Sequence, residues 1–173
     1  MSTHSSIHQM QKMLANSLAW LDKASAHAKA KKFEPDAFLS SRLAPDQYAF
    51  VRQLQAACDT VKLAAARLAG REAPKHPDTE ATVEQIRGRI QAVIAYLDGF
   101  SEADFAGAEA RVLELAFLPR GKSITGAHYL DEFVIPNFYF HVTTAYAILR
   151  HDGVDLGKYD YIGSLELKDV TPG

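Results

Sequence analysis

The chain has 173 residues, of which 47% are hydrophobic and 23% charged, a composition typical of a globular protein with its own core. Nineteen basic and 21 acidic side chains give a formal charge of −2, which excludes the basic surface expected of a nucleic-acid-binding protein. One cysteine, Cys58, excludes an intramolecular disulfide, and no run of about 20 apolar residues is present to span a membrane. We therefore expect a single cytoplasmic domain over residues 1–173, with neither nucleic acid nor a membrane as a partner.

The first predicted helix covers residues 6–30, where apolar side chains recur at three- and four-residue spacing. Met13 and Trp20 widen its apolar stripe. Aromatic residues and prolines then interrupt the period over residues 33–45. This composition predicts a loop that packs on the core through its aromatic side chains, with one short helical turn.

Two further helices are predicted between residues 45 and 99. The second should begin near Pro45, because proline favours first-turn positions, and should end at Gly70. The third should begin at Asp78 or Thr79, either of which can cap it, and should end at Gly99. Its apolar residues repeat at close to heptad spacing, which suits packing in a bundle.

A long connection separates the third helix from the fourth. Residues 107–126 contain branched residues, proline and glycine, which predict either a small hairpin or an extended crossover. The fourth helix should be split at Pro136 and end at Gly153, so that the core spans about residues 6–153. The tail, 154–173, is mildly strand-like at its end. Four long helices with one long crossover predict an all-α four-helix bundle.

The residues with the most chemical interest lie on the fourth helix. Asn137 and His141 are four residues apart and share a helix face, a spacing that can present two ligands to one metal ion. Asp59, in the middle of the second helix, is the best third ligand, and Gln55 shares its face. From spacing alone we favour a core histidine that is hydrogen-bonded without a metal, because asparagine is a weak ligand for Zn²⁺ or Ni²⁺.

A resemblance to a known family lies in residues 137–163, which read NFYFHVTTAYAILRHDGVDLGKYDYIG. This stretch resembles the bacterial "domain of unknown function nineteen ninety-three" family, a branch of the DinB/YfiT-like helical superfamily. Supporting stretches are AACDTVKLAAARLAG at 56–70 and YLDEFVIPNFYFH at 129–141, so that the resemblance covers most of residues 10–163. It implies a four-helix bundle with a long crossover, commonly a homodimer.

The resemblance also implies where a metal would bind. Many superfamily members hold a divalent metal with three histidines, one on the second helix and two, four residues apart, on the fourth. Some of those members are thiol-dependent transferases or hydrolases. Here His141 occupies the later position of the fourth helix and Asn137 the earlier one, while the second helix has no histidine. Gln55, Cys58 and Asp59 are the only substitutes near the middle of that helix.

Two hypotheses of function follow from this departure. In the first, which we favour, the bundle keeps the superfamily pocket without a cofactor and binds an unidentified small molecule. The expected pocket residues are Gln55, Asp59, Asn137, Phe138, His141 and Tyr146. In the second hypothesis, Asp59, Asn137 and His141 hold Zn²⁺ or Ni²⁺ in an altered centre for metal-assisted hydrolysis or transfer.

Two structural expectations accompany these hypotheses. His141 should be buried and hydrogen-bonded to Asp59 or Gln55, because an unpartnered buried imidazole costs about 1–3 kcal/mol. A homodimer is expected mainly from the resemblance. The sequence adds that Met13 and Trp20 extend the apolar stripe of the first helix beyond one bundle seam, and a surplus apolar strip commonly marks an interface.

Overall fold

The computed structural model describes residues 2–169, which contain six α-helices and one two-stranded antiparallel sheet. The helices are α1 (Thr3–Lys31), α2 (Phe50–Ala69), α3 (Val83–Leu97), α4 (Gly126–His128), α5 (Ile135–His151) and α6 (Lys158–Ile162). α2 packs against α5 and α3, and α1 packs against α3 and α5. The predicted all-α bundle is confirmed, and α4 and α5 together supply its fourth helix.

α1 closely follows its prediction. The Ser2 hydroxyl accepts a hydrogen bond from the backbone N–H of Ser5 and so caps the helix, while Lys29 and Lys31 complement the negative end of the helix dipole. After it, the predicted loop contains one short 3₁₀-helix, Pro35–Ser40, whose Phe38 and Leu39 are buried. The aromatic side chains therefore hold this loop on the core.

α2 begins at Phe50, later than the predicted start near Pro45. Pro45 lies in a turn closed by a hydrogen bond from Gln47 N to Ala44 O of 3.0 Å, so the helical path cannot begin there. The end of α2 agrees with its prediction: Gly70 caps the helix with φ of +69°, a left-handed conformation that suits glycine.

α3 also begins later than predicted, at Val83. Its cap is Thr82, whose side chain accepts a hydrogen bond from Gln85 N. Asp78 does not cap the helix because its carboxylate is engaged by Arg89 on α3, at 2.9 Å. The linker before α3 is therefore extended, and charged contacts hold it against the bundle.

The crossover contains the small hairpin that was one of its two predicted forms. Strands β1 (Val112–Leu113) and β2 (Ile124–Thr125) pair antiparallel, with Val112 opposite Thr125 and Leu113 opposite Ile124. The first residue after β2, Gly126, donates a backbone hydrogen bond of 2.8 Å to Arg111 O. The hairpin thus leads directly into the fourth helix of the bundle.

Pro136 does not split the fourth helix. Six residues of π-helix, Tyr129–Val134, join α4 to α5, and Pro136 occupies the second position of α5. Proline lacks the N–H that an α-helix uses and its ring crowds the preceding turn. A wider π-helical turn accommodates it, so that the helix changes its hydrogen-bond pattern and continues.

The C-terminal segment covers part of α1. Trp20 Nε1 donates to Asp160 O at 2.9 Å, and Asn16 Nδ2 donates to Tyr161 O at the same distance. Met13 and Trp20 are 2% and 1% exposed. Both residues of the strip that suggested a dimer surface are thus buried within the chain, Trp20 beneath α6, and the homodimer stays a prediction that rests on the resemblance.

The hydrophobic core also extends past its expected end at residue 153. Val154 and Leu156 are buried, and α6 follows them. Residues 165–169 form no strand, which corrects the strand-like interpretation of the tail, and Val170 lies outside the described residues. Across residues 2–169, no helix combines the length and the apolar character needed to cross a membrane.

Candidate functional site

His141 lies at the interface between α5 and α2. It is buried, as predicted, and its Nδ1 atom lies 2.8 Å from Oε1 of Gln53, a side chain that is fully buried. The predicted partners, Asp59 and Gln55, were wrong. In an α-helix successive residues are rotated by about 100°, so Gln55 points away from the face that Gln53 presents to α5.

Asn137, one turn before His141, makes a separate contact with α2. Its Nδ2 atom donates to Thr60 Oγ1 at 2.8 Å, and the Thr60 hydroxyl donates to Ala56 O at 2.7 Å. Between Gln53 and Thr60 in the chain lies Ala57, which is fully buried and offers no side-chain ligand atom. The two polar residues of α5 thus bond two different neutral partners.

Asp59 faces α3 and not α5. Its carboxylate lies 2.6 Å from Lys62 Nζ and 2.9 Å from Nη2 of Arg89. The Arg89 guanidinium also contacts Asp78 at 2.9 Å and Glu80 at 3.1 Å, and its side chain is 2% exposed. Asp59 is therefore one of three carboxylates that share a single buried guanidinium. Its negative charge is balanced by Arg89 and Lys62.

Gln55 belongs to the same charged network. Its Nε2 atom donates to Glu80 Oε2 at 2.7 Å, and its Oε1 atom accepts from Arg52 Nη1 at 3.5 Å. Arg52 in turn forms an ion pair with Asp78. Gln55 and Asp59 are thus brought together, as their shared helix face predicted, but on the α3 side of α2 and away from His141.

The remaining candidates are core residues. Phe138 is fully buried within the hydrophobic core. Tyr146 packs edge-on against Trp20, with ring centroids 5.6 Å apart, and its hydroxyl donates to Leu156 O at 3.4 Å. Burial raises the pKa of the Cys58 thiol to about 12, so Cys58 is an inert protonated thiol.

These contacts test whether the residues fit the metal centre that the resemblance implies. Among residues 2–169 no group of three or more His, Cys, Asp or Glu side chains is placed to hold a metal ion. His141 is the only one of the three candidate ligands with a nitrogen donor suited to Zn²⁺ or Ni²⁺. The residues present therefore do not fit a three-histidine centre.

Comparison with known proteins identifies the family. A family model described as "Domain of unknown function (DUF1993)" matches residues 3–162. The chain belongs to this family. It is also similar to a DinB family member protein from Shewanella denitrificans, whose crystal structure has a TM-score of 0.91 and 49% sequence identity. That similarity covers 95% of this chain and 93% of the other. No curated protein matches the chain.

Two α2 residues that contact α5 in this DUF1993 chain were missed by the sequence reasoning. Gln53 and Thr60 are seven residues apart, which is two helical turns, and both are buried. Asn137 and His141 lie opposite them. The available signal was that two polar residues interrupt the apolar face of α2, while α5 also carries two polar residues beside its apolar face.

The environment of His141 favours its neutral form. Burial lowers the pKa of His141 below its usual value, and the nearby positive charge of Arg52 lowers it further. The Tyr48 ring lies nearly parallel to the imidazole, with centroids 6.3 Å apart, and Phe140 meets it edge-on at 5.2 Å. This DUF1993 site is thus an imidazole in its neutral form with two aromatic rings beside it.

The lowered pKa of His141 predicts a pH-dependent stability. The free energy of unfolding should fall as pH drops below about 6.5, because the unfolded chain then binds a proton that the folded chain binds less well. Burial and Lys62 also lower the pKa of His76, so the comparison should use a His76→Gln background. There, His141→Gln should flatten the pH dependence in urea unfolding between about pH 5 and 8, whereas an unchanged slope would contradict the assignment.

Proposed function

We propose that this DUF1993 protein is a non-catalytic, small-molecule-binding bundle in which hydrogen bonds between α2 and α5 replace the metal of the superfamily. The observation that carries the proposal is the pairing of Asn137 with Thr60 and of His141 with Gln53. Each pair joins the two helices directly and satisfies a polar group that would otherwise be left without a partner. The interface therefore holds together without a bridging ion.

The charge distribution further supports the proposal. A metal at His141 would need an anionic ligand, and Asp59 is the candidate from the sequence. Asp59 is already bound by Lys62 and Arg89, so its recruitment would leave two side chains that are 4% and 2% exposed without this anion. Uncovering buried cations costs several kcal/mol, which opposes the alternative of an altered metal centre.

The surroundings of His141 supply the binding surface. Tyr48 and Phe140 are 53% and 55% exposed, so their rings are available to a ligand beside the buried polar pair. A mostly apolar surface with a few convergent polar groups is the usual composition of a small-molecule site. Arg52 adds a positive charge, with its guanidinium 5.5 Å from the centre of the Tyr48 ring.

Elemental analysis of untagged protein, purified without chelators, tests the proposal. We expect far less than one Zn²⁺ or Ni²⁺ ion per chain, and no increase in thermal stability when either ion is added, because no complete ligand set stabilises the folded state. His141→Ala should not change the metal content, and neither should the matched control His128→Ala, which replaces an exposed histidine. Near-stoichiometric metal that is lost in His141→Ala and kept in His128→Ala would favour the alternative hypothesis of a metal-dependent enzyme.

A further inference from the structure

The hydrogen bonds around Gln53 fix which nitrogen of His141 carries the proton. Gln53 Nε2 donates to Tyr48 O at 3.0 Å, which directs Gln53 Oε1 toward His141. An amide oxygen can only accept, so His141 Nδ1, at 2.8 Å, must be the donor. In a neutral imidazole the other nitrogen, Nε2, is then an unprotonated acceptor with a free lone pair.

This Nε2 lone pair is available to a ligand. No hydrogen bond to it is formed by the part of the chain that the structure describes. The Nε2 atom is also not fully buried, although His141 as a whole is only 7% exposed. A site of this kind selects a hydrogen-bond donor, because the lone pair cannot pair with another acceptor.

The neighbouring side chains restrict the rest of the ligand. Tyr48 and Phe140 present half-exposed rings beside the imidazole, the first nearly parallel to it and the second edge-on. Such rings favour a flat apolar partner, because aromatic pairs gain energy beyond the area they bury. Arg52 places a positive charge beside Tyr48, which disfavours a cationic ligand such as a protonated amine.

We propose that this surface binds a small phenolic molecule, whose hydroxyl donates to His141 Nε2 and whose ring packs against Tyr48 and Phe140. The inference rests on the proposed function and names the class of its ligand. A phenol combines a neutral hydrogen-bond donor with a flat ring. Gln53 acts as a positioning residue, since its amide keeps the Nε2 lone pair free.

Nuclear magnetic resonance of the full ¹⁵N-labelled chain tests this inference with phenol as the probe. Added phenol should move the His141 Nε2 signal in a saturable manner. Methoxybenzene has the same ring without a donor, and it should bind at least about tenfold more weakly, the effect of one lost hydrogen bond at a site built to accept it. Tyr48→Ala should weaken phenol binding by about tenfold, whereas Tyr159→Ala, at a residue that is 87% exposed on α6, should not change it.

The outcomes separate this inference from the proposed function. Equal affinities for phenol and methoxybenzene, or a His141 Nε2 signal that phenol does not move, would overturn the phenolic ligand while the metal-free bundle stands. A metal ion bound at His141 would overturn both proposals. Gln53→Leu provides an independent check. Without the Gln53 oxygen, the proton of His141 is no longer held on Nδ1, so the site should lose its preference for phenol over methoxybenzene even if the variant is less stable.

Discussion

Replacement of Arg89 by alanine is expected to lower the free energy of unfolding by about 3 kcal/mol. The Arg89 side chain is 2% exposed and contacts Asp59, Asp78 and Glu80, which therefore lose their common cation. Removal of one partner from a buried ion pair typically costs about 3–5 kcal/mol. We expect the lower end of that range, because Asp59 and Asp78 are 29% and 36% exposed and water can partly solvate them.

The matched control lies on the same helix. Arg87 pairs with Asp22 at 2.7 Å and with Glu84 at 3.4 Å, but these two carboxylates are 69% and 79% exposed. Arg87→Ala should therefore cost less than about 1 kcal/mol in urea unfolding at pH 7. Equal losses in the two variants would show that the charged network is solvated and contributes little. Adding Asp59→Asn to Arg89→Ala should recover part of the loss, since it removes one unpaired carboxylate.

The long helices of the fold could be predicted because each one buries a regular apolar stripe. Their starts were less predictable where a residue with a helix-start signal had another partner. Proline suits the first turn of a helix, but it also suits the tight turn that Pro45 occupies before α2. Asp78 can cap a helix, but its carboxylate forms an ion pair with Arg89 on α3. No local sequence pattern indicates this pairing.

The candidate site was predicted only in part because its pairings depend on how α2 is rotated about its axis. The sequence placed His141 against α2, and it does pack there. Gln53 and Gln55 are two residues apart, so they point in directions about 160° apart, and only one of them can face α5. Periodicity fixes the apolar face of a helix, but it does not fix which polar residue at the edge of that face meets α5.

Asp59 illustrates a second limit. Its role is set by side chains from the linker and from α3, which form a network of charges around Arg89. Charge networks follow no sequence period, so the spacing of Asp59 from Gln55 could not show that both face α3. The same holds for Trp20, whose cover by α6 depends on a segment about 140 residues later in the chain.

Gly126→Ala is expected to lower the free energy of unfolding by at least about 3 kcal/mol. A Cβ atom at Gly126 would overlap the backbone oxygen of Ala108, and it would lie 3.0 Å from Leu68 Cδ2 on α2. The Ala108 oxygen belongs to the backbone, so it cannot swing away from the added Cβ atom as a flexible side chain could. Gly126 cannot move away from Ala108 either, because its backbone N–H donates a hydrogen bond to Arg111 O at 2.8 Å. Glycine is therefore required where the hairpin meets the fourth helix.

The control for this substitution is Gly88→Ala in the middle of α3. An added Cβ there meets no atom within 4 Å, and alanine is favoured over glycine in a helix interior. Gly88→Ala should therefore raise the free energy of unfolding by about 0.5–1 kcal/mol. Urea unfolding of both variants at pH 7 should show changes of opposite sign. A Gly126→Ala protein as stable as the unmodified chain would mean that the crossover can move away from α4, and that Ala108 does not fix the start of the helix that carries His141.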